Sequence, residues 1–116
     1  MKLIGSKTEA EFRESLTVSH IQHFSPESNS SLKSYLRSQN IPVENAYILN
    51  EIPEESTDFY SILISGSTVI TVEIDKCSTQ NCSIESNIDL KHYLVGLSKI
   101  EQIKLHVAKE LSGMQT

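Results

Sequence analysis

The stretch from Ala46 to Ile74 limits the possible folds more than any other part of the sequence, because apolar and polar residues alternate along three successive segments. The segments cover residues 46–52, 59–65 and 69–74. They are rich in β-branched and aromatic residues, and Pro, Gly and Ser, which favour turns, separate them. Alternate side chains of a strand point to opposite faces, so the stretch predicts three antiparallel strands with one face buried and the other at least partly wet.

Capping signals predict helices on both sides of this sheet. Ser6-Lys7-Thr8-Glu9 has the Ser-x-x-Glu form of a capping box, and a helix is expected over about residues 7–19. A second helix is expected over residues 31–39, ended by Asn40 and the Ile-Pro pair that follows it. Ser98-Lys99-Ile100-Glu101 is a further capping box and predicts a last helix with Gly113 as its stop. The apolar residues of that helix at helical spacing are Ile100, Ile103, Val107 and Leu111.

Two segments near the last helix are harder to interpret. Residues 75–87 carry no apolar periodicity, so we predict a long surface loop there. From Lys91 to Val95 the residues fit either a helix or a buried strand. Because the cap at Ser98 begins a new helix, we interpret this segment as a strand.

These elements predict a single α+β domain over residues 1–116. We expect a mainly antiparallel sheet of four or five strands, with the N-terminal helices and the C-terminal helix packed on one of its faces. A chain of this length is expected to form one hydrophobic core.

The charge balance indicates which partners suit the chain. Fifteen acidic and ten basic residues give a formal net charge of −5, which repels phosphate backbones and anionic lipid heads. The lysines of the last helix are interrupted by Glu101 and Glu110, so no nucleic-acid groove is expected. No stretch has the form of a signal peptide or a membrane span. We therefore expect a cytoplasmic protein with a basic protein partner, without nucleic acid or membrane as a partner, and with thiols rather than disulfides.

Four acidic residues form the first candidate site, in the connection between the first two strands. They are Glu51, Glu54, Glu55 and Asp58. Paired carboxylates act as general acids and bases only in a pocket that perturbs their pKa values, whereas so polar a connection suggests solvated acids. The functional interpretation is an acidic edge of the sheet that docks a basic partner.

Two histidines and two cysteines form the second candidate site. His20 and His23 are three residues apart, a spacing that places both on one face of a helix, and imidazoles bind zinc or copper. Cys77 and Cys82 complete a Cys2His2 set only if the two segments meet. The cysteines alternatively form a disulfide or a redox pair, or are inert thiols in a loop.

The sequence contains no phosphate loop, dinucleotide fingerprint, nucleophile elbow or paired-histidine zinc helix. No cofactor is expected, and the protein is more easily interpreted as a non-enzyme. Our first hypothesis is a small protein-binding module with an acidic surface, by analogy with bacterial immunity proteins and antitoxins in size and acidity. The alternative is a ligand- or metal-binding domain, or a small enzyme, that uses His20, His23 and the loop of Cys77 and Cys82.

Overall fold

The computed structural model describes residues 7–77 and 82–113. Within these ranges the chain forms four helices and one four-stranded sheet, with strand order β1-β2-β3-β4 and antiparallel neighbours throughout. In chain order the elements are α1 (Lys7–Phe24), α2 (Ser31–Ser38), β1 (Tyr47–Pro53), β2 (Thr57–Ile64), β3 (Thr68–Asp75), β4 (Ser83–Asp89), α3 (Leu90–Leu94) and α4 (Lys99–Gly113). The α+β class and its antiparallel sheet are thus confirmed.

Strands β1, β2 and β3 begin and end within two residues of the predicted bounds. The β2–β3 connection is tight because Ser65 and Gly66 both have positive φ angles, of 53° and 72°. Ser67 donates its backbone N–H to the carbonyl of Ile64 at 3.2 Å. Turns with positive φ at both central residues match the right-handed twist of antiparallel strands, so the local sequence specifies this hairpin.

The helix ends also follow from local chemistry. Ser98 accepts the N–H of Glu101 at 3.2 Å while the Glu101 carboxylate accepts the N–H of Ser98 at 2.8 Å, which is the predicted capping box of α4. At the end of α2, Asn40 has a φ of 62°, and the N–H of Ile41 bonds to the carbonyl of Leu36 at 3.0 Å. Helix α1 begins at Lys7 as predicted but continues to Phe24, and the predicted cap Ser6 lies outside the described residues.

Two predictions for the second half of the chain are wrong. The predicted loop of residues 75–87 contains most of β4, which pairs with β3. The predicted strand from Lys91 to Val95 is instead the short helix α3 and the turn after it. Asp89 caps this helix by accepting the backbone N–H of His92 at 3.1 Å, and Gly96, with a φ of 87°, allows the turn toward α4.

The helices cover both faces of the sheet rather than the single face predicted. The Ile62 face carries Tyr60, Ile62 and Ile64 of β2, and α2 packs on it. The opposite face, the Leu63 face, carries Leu63 and Val69, and α4 packs on it. Helix α1 contributes Leu16 to the cluster on the Leu63 face and Phe24 to the cluster on the Ile62 face. It therefore crosses the β1 edge of the sheet and joins the two cores.

The buried stripe of α4 is rotated relative to the predicted one. Its buried residues are Leu105, Val107, Ala108 and Ser112, whereas Ile100 is 45% exposed and Ile103 is only partly buried. Small side chains explain the rotation, because Ala108 and Ser112 let the helix approach closely. A Cβ on Gly66 would lie 2.9 Å from the Ser112 hydroxyl, so the end of α4 sits directly on the β2–β3 turn.

A buried lysine fixes the connection between α1 and α2. The Lys33 ammonium donates to the carbonyl oxygens of Ser25, Pro26 and Ser28, at 2.7, 3.4 and 3.2 Å. Burying a charge is costly unless hydrogen bonds replace its hydration, and three carbonyls serve that purpose here. Lys33 is thus a structural residue, although on a helix surface it would ordinarily be solvated.

Candidate functional site

The β1–β2 hairpin carries the four acidic residues predicted to form a site. Glu51 lies on β1, Glu54 and Glu55 lie in the connection, and Asp58 lies on β2. The first three are exposed, whereas the Asp58 side chain is only 19% exposed. The hairpin therefore presents three of its four carboxylates to solvent.

An ion pair with Lys76 explains why the Asp58 side chain is less exposed than the other three acids. The Lys76 ammonium lies 3.4 Å from the Asp58 carboxylate and donates to the carbonyl of Glu54 at 2.6 Å. The backbone N–H of Lys76 also bonds to the carbonyl of Ser56 at 2.9 Å. Lys76 thus fastens the hairpin connection to the end of β3, and Asp58 is the least available of the four carboxylates for a partner.

A β-bulge decides the direction of Glu51. Ile48 pairs with Ile62 and Asn50 with Ser61, so Leu49 is an extra residue without a partner across the sheet. Regular alternation from Ile48 would place Glu51 on the Leu63 face. The bulge places it opposite Tyr60 on the Ile62 face instead.

Glu51 lies directly across from Tyr60 on the neighbouring strand. Burial raises the pKa of the Tyr60 hydroxyl above its ordinary value, and the nearby negative charges of Glu51 and Asp58 raise this pKa further. The hydroxyl therefore stays protonated next to the Glu51 carboxylate. The Glu51 side chain itself is exposed to solvent.

A groove of about 410 Å³ lies between α1 and Glu51. Glu11 and Glu14 line it from one side of α1, and Val18, which is 46% exposed, contributes an apolar wall. In the part of the chain that the structure describes, neither Glu11 nor Glu14 forms an ion pair, whereas Arg13 of the same helix pairs with Glu110. Three acidic residues, two from α1 and one from β1, therefore line one shallow, open groove.

Sequence reasoning did not assign Glu11 and Glu14 to a site. Their spacing of three residues places both on one side of a helix, a signal that was available. The sequence does not show that α1 lies beside β1, because this arrangement depends on tertiary packing.

Both histidines of the second candidate site pack against the sheet. His20 has its Nδ1 atom 2.6 Å from the carbonyl of Ala46, and its ring stacks on Tyr47 at 4.7 Å between centroids. The His23 ring contacts Tyr60 edge-on at 5.7 Å and lines the groove, and its Nδ1 atom is buried with no hydrogen-bond partner among the described residues.

The structure does not bring the histidines and cysteines together. His20 and His23 contact β1 and β2, whereas Cys82 immediately precedes β4 at the other edge of the sheet and packs against the Ile62 cluster. Cys77 is exposed after β3. Within residues 7–77 and 82–113, no group of three or more His, Cys, Asp or Glu side chains is placed to hold a metal ion.

No protein-family model, curated protein or solved structure matches this chain, so its function has to be argued from its own residues. Along the described ranges, no helix combines the length and the apolar character needed to cross a bilayer.

Proposed function

We propose that the protein is a non-enzymatic binding module that holds a basic protein partner on an acidic surface. We define the acidic surface as the groove carboxylates together with the exposed carboxylates of the hairpin: Glu11, Glu14, Glu51, Glu54 and Glu55. The observation that carries the proposal is the groove, which is lined by three acidic residues from a helix and a strand.

The rigidity of the surface supports this function. Lys76 fastens the hairpin connection to the end of β3, which fixes the backbone that carries Glu54 and Glu55. Carboxylates that are already ordered cost less conformational entropy when lysines or arginines bind them. Such complementary charges mainly accelerate association, and salt screens them.

The partner that suits this surface is a folded protein with lysine or arginine side chains on a protruding segment. The groove volume of about 410 Å³ accommodates such side chains. The exposed side chains of Val18 and Ile21 lie on the same helix and supply apolar contact area beside the charges. A net charge of −5 disfavours nucleic acid as the partner.

The alternative function, a ligand or metal site built from His20, His23, Cys77 and Cys82, has less support because the two pairs lie at different parts of the sheet. The proposal includes a cytoplasmic location. It is supported by Cys77 and Cys82 being thiols, since structural disulfides are rare in that compartment.

The test uses the full chain as bait in its native lysate at low salt, followed by kinetics with the purified captured protein. The double variant Glu14→Lys, Glu54→Lys reverses two charges of the acidic surface. The matched control Glu27→Lys, Glu44→Lys changes the net charge equally at exposed positions that belong neither to the groove nor to the hairpin.

We expect the acidic-surface variant to lower the association rate about tenfold or more at low salt, while the control remains near the unmodified protein. The difference should shrink as salt is added. Equal rates for the two variants would remove the acidic surface from the proposal. Specific capture of nucleic acid, or of no protein at all, would contradict it.

A further inference from the structure

A second cavity, on the Leu63 face of the sheet, is separate from the acidic surface. It has a volume of about 170 Å³ and lies where α1, α3 and α4 meet β1. Its apolar walls include Phe12, Leu49 and Ile100, and its polar groups include Asn50, Tyr93 and Lys104. We call it the Lys104 pocket.

A lysine is unusual in a partly buried pocket with apolar walls, and Lys104 lies in one. It is partly buried, and its ammonium lies 5.9 Å from the centre of the Phe12 ring. Within the described residues the ammonium has no ion pair and no hydrogen bond. Burial lowers its pKa below the ordinary value for lysine.

Lys33, whose side chain is buried, offers a comparison for the partly buried Lys104. The Lys33 ammonium reaches three carbonyl oxygens, which replace its hydration. Among the described protein groups, the Lys104 ammonium has only the face of an aromatic ring, which compensates for a small part of its desolvation. An acceptor that entered the Lys104 pocket would supply the missing interaction.

We propose that the Lys104 pocket binds a small organic monocarboxylate with an apolar body. The carboxylate would pair with the Lys104 ammonium, near the hydrogen-bonding groups of Asn50 and Tyr93, and the apolar body would contact Phe12 and Ile100. Charge-assisted hydrogen bonds of this kind are the strong ones in proteins, and the partly dry surroundings strengthen them further.

The pocket also limits the size and charge of the ligand. A cavity of about 150 Å³ in another protein holds benzene, so about 170 Å³ suits a molecule near the size of benzoate. Glu101 lines the same pocket, and its carboxylate is held at the start of α4 by the N–H of Ser98. Its negative charge weakens the attraction of any anion and that of a dianion most, so the proposal is limited to a single carboxylate.

The test compares three probes of the same shape with the full protein: benzoate, neutral benzamide and cationic benzamidine. Binding is followed by the NMR signals of Phe12, Asn50 and Tyr93, and the pKa of Lys104 is followed through its own side-chain signals. We expect benzoate to bind about tenfold or more tightly than benzamide, and benzamidine not to bind. Bound benzoate should return the pKa of Lys104 toward its ordinary value, because an adjacent anion stabilises the charged form.

The decisive variant is Lys104→Met, with Lys109→Met, an exposed lysine on the same helix, as its matched control. The first should abolish the preference for benzoate over benzamide, and the second should preserve it. Lys104→Arg keeps a cation and should retain the preference, which separates loss of charge from loss of fold. Equal binding of benzoate and benzamide to the unmodified protein, or no binding of either, would overturn the proposal.

Discussion

Val107→Ala tests most directly whether α4 covers the Leu63 face of the sheet. The Val107 side chain is completely buried in the cluster that also contains Leu63 and Val69. Ile103, about one turn earlier, is only partly buried and belongs to neither core cluster. Two apolar residues of one helix thus differ in burial. The structure predicts that truncating the smaller side chain, Val107, lowers the free energy of unfolding more.

The magnitudes follow from the atoms removed. Valine to alanine deletes two methyl groups, and each buried one contributes about 0.8 kcal/mol to the free energy of unfolding. The cavity left in a close-packed core adds about 24 cal/mol for each Å³ that the neighbours do not fill. We expect a total loss of about 2–3 kcal/mol for Val107→Ala. Ile103→Ala removes three carbons that are already partly solvated, so we expect about 1 kcal/mol.

Urea denaturation monitored by circular dichroism measures both losses, and thermal unfolding checks them. For a domain of this size, about 1 kcal/mol lowers the melting temperature by roughly 4 °C, so the expected decreases are about 10 °C for Val107→Ala and about 4 °C for Ile103→Ala. An equal or greater loss at Ile103 would mean that α4 presents its predicted stripe to the sheet, and the rotated packing described above would be refuted.

Three further predictions concern single residues. Lys33→Met should lower the free energy of unfolding by about 1–3 kcal/mol, because it leaves three loop carbonyls without their donor, and unchanged urea stability would contradict that role. The free energy of unfolding should fall as the pH rises above about 10, because the folded chain keeps the Tyr60 proton that the unfolded chain releases. Denaturation measured at several pH values should show a shallower fall for a Tyr60→Phe variant. Gly66→Ala should cost about 1–2 kcal/mol because of its positive φ, and adding Ser112→Ala should recover part of this loss in the same assay unless the contact between turn and helix is absent.

The elements that the sequence predicted well are those specified by local chemistry. The capping box at Ser98, the positive-φ turn at Gly66 and the end of α2 at Asn40 each depend on a few neighbouring residues. The three alternating strands belong to the same class, because their periodicity is visible without knowledge of the fold. These features placed most of the antiparallel sheet correctly.

Strand β4 could not be recognised because a bulge hides its periodicity. Ile84 pairs with Val72 and Ile88 with Val69, and the register shifts between these two pairs. The isoleucines therefore point to opposite faces although they are four residues apart, so the segment shows no regular alternation. It forms a strand because β3 offers an edge, which is a tertiary cause.

The sequence predicted only the part of the candidate site that depends on neighbouring residues. The hairpin acids Glu54 and Glu55 are adjacent in sequence, and their exposure follows from the turn that carries them. The groove was not predictable, because Glu14 meets Glu51 only after α1 has crossed the β1 edge. The environment of Lys104 depends on that same crossing, which brings the Phe12 ring to α4.

The bulge at Leu49 separates the acidic groove from the Lys104 pocket. Asn50 lines the Lys104 pocket and Glu51 lines the acidic groove, although the two residues are neighbours on β1. With regular alternation Glu51 would lie on the side of the pocket, where its carboxylate would compete with an anionic ligand for Lys104. The extra residue turns Glu51 to the other face, so that the groove proposed for a basic partner and the pocket proposed for a small carboxylate lie on opposite faces of one strand.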